Sequence, residues 1–384
     1  TMPNQLPHPS SSAQAVSHTL RQHIFQAIDQ HDGWIPFSHF MQLALYSPQY
    51  GYYTGGSHKI GASGDFITAP TLSPLFGQTL ARQLQSLLPQ TAGNVYEFGA
   101  GTGNLAATLL NALSGSLSGH YYIIELSPEL AERQRQHILA FAPDMADKVI
   151  HLAELPASLD GIVIGNEVLD AIPCEVVQHQ DNEYYQMGVC HNGQHFAWQQ
   201  RPIVSPTLAQ LAEQYFPANQ PYTSELHPAQ YAFIHTLSEK LTCGAIIMID
   251  YGFDAAQYYH SQRDQGTLIG HYRHHSIHNP FYWVGLTDLT AHINFTDIAQ
   301  AGTDAGLDLI GYTTQAHFLL NLGITEILEA KADTESVEYI REASNIHKLV
   351  GQHEMGELFK VIAFGRDIDI DWQGFHMGDI CHKL

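Results

Sequence analysis

The residues best suited to do chemistry lie in the run Val95-Tyr96-Glu97-Phe98-Gly99-Ala100-Gly101-Thr102-Gly103-Asn104. Three alternating glycines follow a short apolar strand pattern and precede a helical one. Glycine is needed where a backbone turns with positive φ or comes close to a ligand. The dinucleotide fingerprint is G-x-G-x-x-G. Here the spacing is G-x-G-x-G, with an acid, Glu97, two residues before Gly99. A second acid, Glu125, ends the run Tyr121-Tyr122-Ile123-Ile124, far enough on for a loop, a helix, a loop and a strand. An ionised carboxylate only accepts hydrogen bonds, which suits a vicinal diol. Further along, Asn166, Glu167 and Asp170 follow the apolar run Gly161–Gly165. Two acids three apart can share a face of a short helical turn. Such a pair can clamp a guanidinium bidentately and help accept its proton as the nitrogen reacts. Two plainer roles stay open: Asp170 as a helix cap or internal partner, and Glu167 as a residue that only orders the loop.

The histidines His271, His274, His275, His278 and His292 crowd one segment, Tyr251 to about Phe295, rich in His, Tyr and Gly. No cysteine lies near them and their spacing matches no zinc pattern, so no metal is expected. A long loop in a compact domain is usually functional. His275 or His292 could then serve as a base or hydrogen-bond donor, and Tyr251 as a wall of the substrate pocket.

The elements that must position these groups follow from periodicity. Residues 1–17 are polar, without usable periodicity, and read as a flexible tail. Residues 18–90 form a helical region, with Ser38 a cap for its second helix and a further helix from Pro74 to Leu88. Residues 91–173 alternate strand and helix: strands at Asn94–Phe98, His120–Glu125, Lys148–Leu152 and Gly161–Gly165, helices at Leu105–Leu113 and Pro128–Phe141. That alternation predicts a doubly wound, mostly parallel α/β sheet. Residues 174–243 interrupt it with a three-strand meander turning at Asp181-Asn182 and Asn192-Gly193, then two helical stretches. Residues 244–384 return to the α/β pattern, beginning with the apolar strand Gly244–Asp250 and carrying the long segment 251–295. In doubly wound sheets ligands sit beyond the carboxyl ends of the strands, which is where Glu97, Glu125, Asn166, Glu167 and Asp170 fall.

The chain of 384 residues has 38 Asp plus Glu against 16 Lys plus Arg, a formal net charge of −22. No basic footprint is present, so neither nucleic acid nor an anionic membrane surface is an expected partner. A cationic cofactor or substrate would be attracted. Hydrophobic residues make up 44%, enough for a large core, which excludes a mainly disordered chain. The four scattered cysteines suit a reducing compartment. No apolar run is long enough to span a bilayer. A bacterial-type cytoplasmic enzyme is the default expectation.

The glycine loop with its preceding acid resembles the S-adenosylmethionine (SAM) loop of class I methyltransferases. In such enzymes the acid at the strand end serves the amino-acid ammonium, and an acid at the end of the next strand takes the ribose hydroxyls. The resemblance implies SAM as cofactor, with Glu97, Gly99, Gly101, Gly103, Glu125 and Asn166 around it; NAD is the main competing reading. In chain order come Gly51-Tyr52-Tyr53, Gly64-Asp65-Phe66-Ile67-Thr68-Ala69-Pro70, the glycine loop, Asn166-Glu167 with Asp170-Ala171-Ile172-Pro173, and Ile249-Asp250-Tyr251-Gly252. They continue with Gly266-Thr267-Leu268, Tyr272-Arg273-His274-His275, Asp288-Leu289-Thr290-Ala291-His292 and Trp372-Gln373-Gly374-Phe375. The set resembles the MidA family of methyltransferases, whose mitochondrial members act in respiratory complex I assembly.

That resemblance implies a class I fold with a seven-stranded sheet, an N-terminal helical region and a β-rich insertion. It also implies N-methylation of an arginine in a partner protein, with Glu167 and Asp170 handling the guanidinium. Gly64, Asp65 and Thr68 would close over the cofactor. Ala100 and Thr102 stand where mitochondrial members usually carry Pro and Arg, and Ile380 and Cys381 where basic residues are common. Two other readings remain: methylation of a small molecule, and a SAM-binding assembly chaperone without catalysis.

Overall fold

The protein is represented by a computed structural model that describes residues 5–55, 68–331 and 336–384. The chain folds as two compact units. The larger contains residues 67–169, 231–254 and 295–384, and the smaller residues 1–66, 170–230 and 255–294.

The larger unit is built on a mixed sheet of strands. Seven are labelled here: β1 (Asn94–Phe98), β2 (Tyr121–Ile124), β3 (Val149–Leu152), β4 (Leu159–Asn166), β5 (Leu241–Phe253), β6 (Asp308–Thr314) and β7 (Phe359–Arg366). They lie in the order β6-β7-β5-β4-β1-β2-β3. Strands β3, β2, β1, β4 and β5 run parallel, while β7 pairs antiparallel with both β5 and β6. Buried on both faces, β4 and β5 read as continuous apolar runs, such as Ile162-Val163-Ile164 and Ala245 to Ile249.

Helices α1 (Pro74–Leu87), α2 (Asn104–Ala112) and α3 (Pro128–Phe141) belong to this unit. Pro74 and Pro128 start their helices, each after a serine whose hydroxyl accepts from a backbone N–H of the first turn. Leu75, Phe76, Leu80 and Leu84 of α1 pack with Leu105, Leu109 and Leu110 of α2 in one core with Val95, Ile162 and Ile247.

The smaller unit carries helices Ser11–Gln30 and Phe37–Tyr46, a five-stranded antiparallel sheet and a three-stranded one. The predicted meander is present as Glu175–Gln180, Glu183–His191 and Phe196–Pro202. Its first turn uses Asp181 and Asn182, both left-handed. Three expectations need correction. Residues 1–17 are not all tail, because the first helix begins at Ser11, where the Ser10 hydroxyl accepts from Ala13 N–H, and its Ser17 hydroxyl donates to Val284 O. Ser38 lies inside the second helix rather than capping it; its N–H donates to Glu175. The segment 251–295 is not an irregular loop. It holds a sheet of Ile269–Tyr272, His275–Ile277 and Asp288–Thr290. The tight turn inside it is made by Arg273 and His274, both at positive φ, without the Asn-Gly signature that would have announced it.

Candidate active site

The larger unit alone supplies a coherent ligand site. Strand order reverses at β1: β2 and β3 lie on one side, and the chain returns to β4 on the other. Such a switch point opens a crevice beyond the carboxyl ends of the strands. Parallel register brings Glu97, the Glu125 that follows β2, and the end of β4 at Asn166 to that same edge.

The glycine loop closes this edge from below. Gly99, Gly101 and Gly103 have φ of 64°, 56° and 92°. Gly103 caps the N-terminus of α2, and a Cβ there would lie 3.3 Å from the α-carbon of Gln134 on α3. Gly101 differs: an added Cβ would meet no atom of the described residues within 4 Å. Among the described residues its glycine is therefore required by the left-handed backbone alone, and none of them fills the space beside it.

Glu97 is buried and accepts a 2.7 Å hydrogen bond from the Tyr121 hydroxyl. Among the described residues Tyr121 is its sole donor. Burial raises the Glu97 pKa to about 7; the Tyr121 bond opposes this and the charge of Glu125 adds to it. Glu125 is better supported. Ser127 N–H donates to one oxygen at 3.1 Å and Gln134 Nε2 to the other at 2.9 Å.

At the end of β4, Asn166 Oδ1 is buried with no hydrogen-bond partner among the described residues. Its Nδ2 is 3.5 Å from Glu167, too far for a firm bond. Glu167 has φ of 56°, a left-handed conformation costing an L-residue about 1–2 kcal/mol. Neighbours hold it there. Glu167 N–H donates to Ile249 O at 2.8 Å, while the buried Asp250 carboxylate accepts from Leu169 N–H and Tyr251 N–H at 3.0 and 2.9 Å. Asp250 thus fastens the loop after β4 to the end of β5.

Other predicted site residues fall elsewhere. Thr68 starts the short helix Ala69–Leu72, and its N–H donates to the Thr71 hydroxyl. That helix packs on α2, the helix that the glycine loop caps. Gly64 and Asp65 lie outside the described residues. The unit boundary falls between Glu167 and Asp170. Asp170 is buried in the smaller unit, where its charge, after burial and Asp288, helps push the Tyr53 phenol well above its usual pKa. The Tyr53 hydroxyl donates to both Asp288 oxygens, at 2.8 and 3.0 Å. His275 opens a strand just after the Arg273-His274 turn and is half-buried. Among the described residues no cluster of His, Cys, Asp and Glu could hold a metal ion. No described helix is long and apolar enough to cross a membrane.

Comparison with known proteins decides the family. The model for S-adenosyl-L-methionine-dependent methyltransferases matches residues 75–313. The chain belongs to the MidA family of SAM-dependent methyltransferases. A Burkholderia thailandensis protein solved with S-adenosyl-homocysteine bound is 44% identical to this member over 99% of its chain and 100% of that one, with a TM-score of 0.94. The mitochondrial protein arginine methyltransferase NDUFAF7 of Danio rerio is 25% identical, covering 91% of this chain and 88% of that protein. Its Drosophila melanogaster homologue is also 25% identical, over 94% and 88%.

The cofactor of this MidA-family chain is SAM, and the residues fit it. Glu97 is a buried carboxylate with one donor among the described residues, suited to an ammonium. Glu125 is an oriented acceptor for a diol, and Asn166 Oδ1 is a buried acceptor awaiting a donor. Among the described residues nothing crowds Gly101, so a ligand can touch its backbone. Sequence reasoning missed four supporting residues: Tyr121, Gln134, His151 and, as a functional group, Asp250. Tyr121 had a usable signal. In the parallel register Glu97 lies opposite Ile123, and Tyr121, two residues earlier, shares that residue's sheet face.

Proposed function

We propose that this SAM-dependent methyltransferase N-methylates the guanidinium of an arginine in a partner protein. The observation that carries the reading is Glu167: a carboxylate held in a strained conformation at the switch-point end of β4. Proteins strain a non-glycine residue where its orientation matters. The curated relatives, named protein arginine methyltransferases across 85–94% of this chain, support the acceptor class. The strand order, with a parallel half and β7 antiparallel, supports reading the core as a class I methyltransferase fold.

When bound, SAM supplies an electrophilic methyl on a sulfonium. Glu97 and Glu125 hold and orient the cofactor; Asn166 offers one further acceptor. Glu167 pairs with the guanidinium, aligns one nitrogen, and takes its proton as the new carbon–nitrogen bond forms. Asp170, three residues further along the chain, is the second carboxylate of the proposal. Its buried carboxyl beside the Tyr53–Asp288 pair makes that part of the smaller unit acidic. Alignment and charge placement supply most of the rate enhancement in such transfers. The net charge of −22 favours a cationic peptide as acceptor.

The test is transfer of labelled methyl from SAM to proteins of a cell extract, followed by mass-spectrometric location of the label. Methylarginine is expected; label on lysine, on a carboxyl or on a small molecule would overturn the acceptor assignment. With the acceptor in hand, Glu167→Gln should reduce turnover ~100-fold and leave the affinity for S-adenosyl-homocysteine unchanged. Normal turnover would remove Glu167 from the chemistry.

A further inference from the structure

Gln134 is fully buried on α3, an unusual place for a primary amide. Its neighbours use every part of that amide. Nε2 donates to Gly101 O at 2.9 Å and to Glu125 Oε1 at 2.9 Å. Oε1 lies 3.1 Å from His151 Nε2. The two acceptors on one side force the NH2 group toward them, because a flipped amide would set its oxygen against a carbonyl and a carboxylate. Oε1 must therefore face His151, and Nε2 of that imidazole must carry the proton. His151 is neutral: burial lowers its pKa to about 4, the charge of Arg135 adds to this, and Glu132 opposes it. The chain of donors is thus complete, from His151 to Gln134 to both halves of the cofactor edge. The backbone of Gln134 also lies against Gly103, the third glycine of the loop.

We propose that Gln134, with its orientation set by His151, is a positioning residue for SAM. It locks the glycine loop to the ribose acid, so that Gly101 and Glu125 hold their geometry before the cofactor arrives. Glu125 can then spend its remaining lone pairs on a diol. Preorganised acceptors bind more tightly because the ordering cost is met during folding. This inference concerns the cofactor edge and is independent of the methyl acceptor.

The test measures S-adenosyl-homocysteine affinity by calorimetry, with hydrogen exchange of residues 99–104 in the cofactor-free protein. Gln134→Leu removes a bond to a charged group and should weaken binding ~10- to 100-fold while exchange in the glycine loop accelerates. His151→Leu leaves the amide free to flip and should give a smaller loss of the same sign. Gln134→Glu supplies a readout that a purely structural role would not move. Its carboxylate repels Glu125 when ionised, but when protonated its single O–H can donate to Glu125 in place of one of the two amide N–H bonds. The ratio of variant to wild-type dissociation constant should therefore shrink as pH falls from about 8 to about 5.5. Folded Gln134→Leu protein with wild-type affinity would overturn the proposal. If that variant fails to fold, a pH-independent ratio for Gln134→Glu would overturn it equally.

Discussion

Each unit buries a glutamate, and the two make an instructive pair. Glu225 of the smaller unit and Glu97 of the larger are both almost wholly excluded from solvent. Each accepts a 2.7 Å bond from a buried tyrosine, Tyr258 and Tyr121 respectively. Burial raises both pKa values. The difference lies in what else they touch. Glu225 also accepts from Thr267 N–H at 2.9 and 3.1 Å and from the Thr267 hydroxyl, and Leu268 N–H lowers its pKa further. Tyr258 is itself bonded to His227 Nε2 at 2.9 Å. Gly266 is required there, because a Cβ would sit 2.0 Å from Glu225 Oε2. That carboxylate is a fastening for the turn Gly266-Thr267-Leu268. Among the described residues Glu97 has one donor and borders a loop that none of them crowds at Gly101. A buried carboxylate marks a ligand site when its hydrogen-bonding capacity is left over, rather than by burial alone.

The largest effect that would sharpen this contrast comes from Gly101→Val. No atom of the described residues opposes the new side chain, so the fold should lose only about 1–2 kcal/mol to left-handed strain. S-adenosyl-homocysteine binding should vanish in calorimetry; retained affinity would move the cofactor away from the loop. Next come the two glutamates themselves. Glu97→Gln should weaken cofactor binding ~100-fold, because a cation loses its charged partner. Glu225→Ala should leave affinity near wild type but destabilise the protein by about 3 kcal/mol through stranded Thr267 and Tyr258 donors. If chemical denaturation and calorimetry exchanged those outcomes, the assignment of site and fastening would be reversed.

A smaller effect separates the two by pH. The folded pKa of Glu97, about 7, lies above its ordinary value of 4.5. The folded state therefore binds more protons, and the stabilising contribution is full below about pH 4.5 and lost as pH rises through about 7. The difference amounts to about 3 kcal/mol for this group. Glu97→Gln removes that loss, so the cofactor-free variant should out-melt the wild type by a margin that grows as pH rises through this window. A constant margin in differential scanning calorimetry would contradict the raised pKa.

Much of this was legible in the sequence because it rests on local rules. Positive φ demands glycine, so the loop at Gly99, Gly101 and Gly103 announced itself. Continuous apolar runs marked β4 and β5, and Pro128 marked the start of α3. What stayed hidden depends on non-local register. Gln134 sits in the polar run Glu132-Arg133-Gln134-Arg135-Gln136 and reads as surface helix; only packing of α3 against the glycine loop buries it. His151 is one more polar residue on a short edge strand until β2 and β3 align. Asp250 lies within core strand β5, near its end, and its use as a bracket for two backbone N–H groups appears only once β4 and β5 pair. The sheet inside residues 269–290 was missed because its strands run to three or four residues and its turn lacks glycine.

The central claim is that Glu97 receives the cationic end of the cofactor. The direct measurement is calorimetric titration of SAM at about pH 7, in buffers of different ionisation enthalpy, for the wild type and Glu97→Gln. A carboxyl half-protonated in the free enzyme must ionise as the ammonium arrives. The wild type should release measurably more protons per SAM bound than the variant. Equal proton counts at comparable saturation would contradict the account.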